Sequence, residues 1–121
     1  MGAIIPVLCL VSQSVLAQQA PATLDEFFER LRPQARAVME CYEERADDLA
    51  LANCDAAASI VEEAYRACTL PEETYKKAVG VLGGSDRYLP LADRILSQAK
   101  DDIRSRMLNL VSTVRSRAGR C

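Results

Sequence analysis

The stretch Cys41–Cys68, CYEERADDLALANCDAAASIVEEAYRAC, holds three of the chain's five cysteines and decides the fold. It reads as a helix, a bend and a second helix. Around Ala46 to Asn53 the apolar pattern weakens, Asp47-Asp48 close a helix poorly, and Asn53 can cap the helix that follows. The stripe of that second helix is Cys54, Ala57, Val61, Ala64 and Cys68, with Ile60 beside it. Five alanines, at 56, 57, 58, 64 and 67, let a neighbouring helix approach closely.

The cysteine spacing constrains the cross-links. Cys68 lies fourteen positions after Cys54. On one helix that is about 21 Å, against the roughly 7 Å between Cα atoms that a disulfide tolerates. A Cys54–Cys68 bond is therefore excluded on a continuous helix. Two pairings of Cys41, Cys54, Cys68 and Cys121 remain. Cys41 and Cys54 lie symmetrically about residues 47–48, so a turn there favours Cys41–Cys54 with Cys68–Cys121. The other pairing, Cys41–Cys68 with Cys54–Cys121, needs an offset between the helices and a tail that reaches the hairpin's turn.

Upstream, residues 1–20 (MGAIIPVLCLVSQSVLAQQA) carry no charge. The apolar run from Ala3 to Val11, followed by Val15 and Ala17 at the −3 and −1 positions, has the form of a secretory leader cleaved after Ala17, or else after Ala20. It lacks the usual basic n-region. It is much shorter than the ~20 apolar residues of a membrane span, and Pro6-Val7-Leu8 is a poor lipidation box for Cys9. Cleavage removes Cys9 and leaves four cysteines, an even set that reads as two disulfides in an oxidising compartment. The expected organisation is a leader over 1–17, a mobile lead over 18–22 and one helical domain over 23–121.

Thr23-Leu24-Asp25-Glu26 has the form of a capping box, with Thr23 accepting the Glu26 N–H and Glu26 reaching back to the Thr23 N–H. From it runs the stripe Leu24, Phe27, Phe28, Leu31, Ala35, Val38, Tyr42, which keeps helical phase across Pro33. Pro33 falls about 200° round from Leu31, on the solvent side. One kinked helix over about 24–46 is expected. Pro71 with Glu72-Glu73 opens a third helix, whose inward residues are Tyr75, Ala78, Val79 and Leu82, and Gly83-Gly84 close it. Pro90 opens a fourth over about 90–117, with Ala92, Ile95, Leu96, Ala99, Ile103, Met107, Leu110, Val111 and Val114 as its stripe and Asp102–Arg106 as an i,i+4 pair. The fold class is all-α: a small four-helix bundle with a long last helix, cross-linked by two disulfides.

Composition excludes more than it specifies. The chain has 121 residues, 17 acidic and 15 basic, with six aromatic residues and neither histidine nor tryptophan. The commonest general base and transition-metal ligand is thus absent. The mature cysteines have 12, 13 and 52 residues between them. That is neither the close pairing of a zinc site nor a C-x-x-C redox motif, so no metal and no cofactor are expected. Glu62-Glu63 and Glu72-Glu73 are sequence neighbours about 100° apart on a helix, and read as solvated faces. Ser12 and Ser14 lie in the leader and Ser85 has no histidine to activate it, so no catalytic set assembles.

Charge is uneven. Residues 21–75 hold 13 acids and 5 bases, net −8, and residues 76–121 hold 4 acids and 10 bases, net +6. Arg104, Arg106, Arg115, Arg117 and Arg120 form a basic face that suits an anionic surface or, equally, the acidic hairpin with Glu40, Glu43, Glu44, Asp47 and Asp48. The arginines have no interleaved aromatics to stack on bases, so packing on the hairpin is expected and a nucleic-acid partner is not. Phe27, Phe28, Tyr42, Tyr65, Tyr75 and Tyr88 either fill the core or line a pocket for an apolar ligand. These features point to a periplasmic or secreted, non-enzymatic protein that binds another envelope or extracellular protein. The alternatives are a carrier of a small apolar ligand in the bundle core, and an acid-responsive envelope stress or holdase factor working through carboxylates.

Overall fold

The computed structural model describes residues 21–121. The expected leader and Cys9 lie outside the described residues. The chain forms four α-helices: α1 (Leu24–Ala52), α2 (Ala57–Ala67), α3 (Thr69–Gly83) and α4 (Leu89–Ala118), with a 3-10 turn over Asp86–Tyr88 before α4. The all-α bundle read from the sequence is the fold observed, with both disulfides formed.

In α1, Thr23 caps as the sequence implies, its hydroxyl accepting the Glu26 N–H at 3.1 Å. Glu26 reaches one residue further back than a capping box requires, accepting the Ala22 N–H at 2.9 Å. That bond, followed by one from Arg30, holds the Glu26 carboxyl below its usual range. The helix continues through Pro33, which is exposed. A proline ring on the solvent side leaves the freed carbonyl to water.

α1 does not stop near residue 46. Ala46 and Ala50 continue the buried stripe of Leu31, Val38 and Tyr42, and the helix ends at Ala52. Burial and the helical preference of Leu-Ala-Leu-Ala outweigh the few tenths of a kcal/mol that Asp47 and Asp48 cost near a helix C-terminus. Asn53 is therefore the C-cap of α1 and does not cap α2. Its side-chain oxygen accepts the Asp55 N–H at 3.0 Å, which fixes the turn.

This relocated turn corrects the favoured disulfides. Neither Cys41–Cys54 nor Cys68–Cys121 forms; the bonds are Cys41–Cys68 and Cys54–Cys121. The symmetry argument holds, but its centre is residues 53–56. The midpoint of 41 and 68 falls inside that turn, so Cys41 of α1 faces Cys68 at the end of α2, with Cα atoms 5.9 Å apart. Cys54 lies in the turn itself and meets Cys121 at 5.5 Å.

α2 and α3 together form one arm antiparallel to α1, broken at Cys68. The break has a local cause. Pro71 has no N–H and its ring crowds the carbonyl four residues back, which disfavours a continuous helix; α1 runs on through Pro33, whereas here the chain breaks at Cys68 and Pro71 falls in a first turn. Cys68 takes φ −103°, ψ 29°, its N–H bonds the Tyr65 carbonyl three residues back, and α3 restarts with Pro71 in its first turn. At the far end Gly84, at φ +72°, closes α3. Gly83 has a different reason to be glycine: a Cβ there would run into the Tyr88 ring.

α4 returns parallel to α1. Lys76 pairs with Asp93, Lys100 with Glu72 and Arg104 with Glu62, so α4 runs against the α2–α3 arm. Arg106 meets Glu43 and Arg115 meets Ala50, so it runs with α1. Gly119, at φ +65°, caps α4 and turns the chain toward Cys54. The core lies where the three arms meet, with Tyr42, Leu31, Ile60, Met107 and Val79 among its fully enclosed side chains.

Candidate functional site

Chemistry-bearing side chains converge at the waist of the bundle, beside Cys41–Cys68. The Tyr42 hydroxyl donates to Glu72 Oε2 at 2.9 Å. Lys100 Nζ lies 3.1 Å from the same oxygen and faces the rings of Tyr42 and Tyr65, at 5.8 and 5.5 Å from their centroids. The two rings meet edge to face at 4.9 Å. Tyr65 donates its hydroxyl to the Lys100 carbonyl at 3.1 Å. Burial, then the bond to Glu72, pushes the Tyr42 hydroxyl well above the usual phenol range. Burial also raises Tyr65 and Tyr75.

Reading the sequence missed this cluster. Glu72, taken as part of a solvated pair, is nearly covered, with its side chain 14 % exposed. A signal was present: Lys100 sits at stripe phase, four residues after Leu96 and seven before Met107. A cation in an apolar stripe needs a partner from a facing helix. Each group here answers another, and a satisfied cluster of this kind fixes the register of all four helices.

The basic face of α4 packs largely onto the acidic arms. Arg106 takes Glu43 at 2.9 Å and Arg104 takes Glu62. Asp102 accepts from Gln98 at 2.9 Å, so the expected Asp102–Arg106 pair does not form. Arg115 does something the charge pattern did not suggest. Its guanidinium donates to the Ala50 carbonyl at 3.1 Å and the Asn53 carbonyl at 2.8 Å, capping the C-terminal end of α1. Arg117, in the last turn of α4, and Arg120, just past its Gly119 cap, are exposed.

The outer face of α3 has a different character. Leu70 and Val81 are 79 % and 73 % exposed. Eleven residues apart on one ridge, they stand about 16 Å from each other. An open groove of about 970 Å³ runs beside them toward the start of α4, bordered by Leu70, Thr74, Lys77, Val81 and Leu89. Lys76 braces it, with its ammonium 3.0 Å from Asp93 and 3.1 Å from Glu73; these two bonds, Asp93 first, raise its pKa. On the other flank of Leu70 lies a hollow of about 370 Å³ formed with Pro33, Gln34, Ala37 and Pro71. Gln34 Oε1 is buried and has no hydrogen-bond partner.

Of the aromatic residues, Tyr42, Tyr65 and Tyr75 are core. Phe27 and Tyr88 border a hollow of about 400 Å³ at the end of the bundle, with Leu24, Leu82 and Leu91. Among the described residues no group of three metal-ligating side chains occurs, and no helix is long and apolar enough to cross a membrane. No protein-family model, curated protein or solved structure matches the chain.

Proposed function

We propose that this is an exported, non-enzymatic protein that binds another protein of the periplasm or the extracellular space through the outer face of α3. The observation that carries the reading is the pair of strongly exposed aliphatic side chains, Leu70 and Val81, beside the open groove. Exposed apolar side chains bordering one concave surface mark a candidate docking site. The helix that presents them is held rigidly: Cys68, one residue before it, is tied to α1. Two disulfides fit an oxidising compartment. A fitting partner places apolar side chains against Leu70 and Val81.

The test is affinity capture from an envelope or secreted extract of the source cells. Wild-type bait is compared with a Leu70→Glu/Val81→Glu double variant whose melting temperature is unchanged. A partner held by the wild type and lost by the variant supports the reading. Equal capture by both baits removes α3 as the surface, and an inert monomer that captures nothing contradicts protein binding.

The hollow at the bundle end favours a second reading, a small apolar ligand lodged among Leu24, Phe27, Leu82, Tyr88 and Leu91. Native mass spectrometry of gently purified protein should then show a bound lipid-like mass. The bare chain mass alone would count against it.

A further inference from the structure

The two disulfides occupy opposite environments. Cys68 is fully enclosed and Cys41 packs against the core. Cys54 and Cys121 are both exposed. Thiol–disulfide exchange requires a thiolate to reach a sulfur, so access separates the two bonds. The exposed bond also has a cation close by. Cys121 Sγ lies 3.8 Å from the Asn53 carbonyl, the same oxygen that accepts from Arg115 at 2.8 Å. A neighbouring guanidinium stabilises a departing thiolate and so speeds exchange.

We propose that Cys54–Cys121 is a site of thiol–disulfide exchange in the folded protein, opened by an external low-molecular-weight or protein thiol while Cys41–Cys68 stays closed. The external thiolate attacks one sulfur of the pair. A new S–S bond forms to it, the Cys54–Cys121 bond breaks, and the other cysteine leaves as a thiolate. A second external thiol can then resolve the mixed disulfide, leaving two cysteine thiols and the oxidised external disulfide. The bundle survives this opening. Ala92, Leu96, Met107 and Val111 stay buried in the core, and Arg115 still holds the end of α1. What changes is the joint between α4 and the turn at residues 53–56, where two thiols become available for modification.

The experiment uses the oxidised chain from Gln18 to Cys121, which holds four cysteines, titrated with reduced glutathione, quenched by alkylation and mapped by tryptic digestion. Cys54 and Cys121 should carry glutathione or the alkyl label at roughly tenfold lower glutathione than Cys41 and Cys68, with the far-UV circular dichroism unchanged. Labelling of all four cysteines at the same concentration would overturn the proposal. So would loss of helical signal as Cys54–Cys121 opens. A Cys54→Ser/Cys121→Ser variant should take up no glutathione over the lower range, and uptake there would place the exchange on the buried pair.

Discussion

Lys100 shows how one residue can organise a junction. Its aliphatic stem continues the α4 stripe while its ammonium answers Glu72 and faces two tyrosine rings. The hydrogen bonds make the cluster asymmetric. Glu72 has two partners, whereas the hydroxyl of the fully buried Tyr42 bonds Glu72. Glu72→Ala should therefore cost about 2 kcal/mol, because it strands a buried hydroxyl and takes away the carboxylate facing Lys100. Tyr42→Phe should cost only about 1 kcal/mol, since Glu72 keeps Lys100. Urea unfolding of the two variants measures the order, and a reversed order would refute the cluster as described.

Among the elements, the end of α1 carries the most consequence. The stripes from Phe27 to Tyr42 and from Ala92 to Val114 were legible because apolar side chains recur at helical spacing, but Leu24 and Phe28, read into the first stripe, lie exposed at the start of α1. Pro71 in a first turn, and Gly84 and Gly119 in the left-handed conformation, marked boundaries for stereochemical reasons. The end of α1 was not legible, because Asp47 and Asp48 resemble a stop while the burial that overrides them is tertiary. The difference between residues 46 and 52 is about 9 Å of helix, enough to move Cys41 from opposite Cys54 to opposite Cys68. The waist cluster and the Arg115 cap were hidden for a related reason: each joins residues on different helices, which no local pattern pairs. Arg115 serves as the cap that Asp47 and Asp48 cannot be. Arg115→Ala should destabilise the bundle by about 1.5 kcal/mol, and Arg115→Lys should recover only part of that, since an ammonium cannot fork to two carbonyls. Full recovery by lysine in chemical denaturation would show that charge alone matters at this joint.

At the scale of the whole molecule, the disulfides supplement a modest core. Taken singly, closing loops of 27 and 67 residues contributes about 3.5 and about 4.4 kcal/mol in the chain-entropy model. The tyrosines set an alkaline limit. Tyr42, Tyr65 and Tyr75 have raised pKa values in the fold, chiefly through burial. An unfolded tyrosine ionises near pH 10, so their contribution is complete below that pH. Above it the unfolded chain releases protons that the native chain keeps. Stability then falls by up to about 1.4 kcal/mol per pH unit for each tyrosine kept protonated, until the pH passes the native pKa. Thermal melts from pH 8 to 11.5 should show this fall beginning near pH 10, less steeply in Tyr42→Phe. Tyrosinate absorbance from the three buried rings should emerge together with helix loss, and full ionisation with the helices intact would contradict their burial.

The central claim is that the hairpin turns at residues 53–56, and disulfide connectivity reports that turn directly. Trypsin places each cysteine on its own peptide: Cys41 in 37–45, Cys54 in 46–66, Cys68 in 67–76 and Cys121 as the residue after Arg120. Non-reducing mass mapping of the native protein should recover 37–45 joined to 67–76, and 46–66 carrying Cys121 as an added cysteine. Recovery of 37–45 joined to 46–66, with 67–76 carrying Cys121, would move the turn back to residues 47–48 and contradict the account.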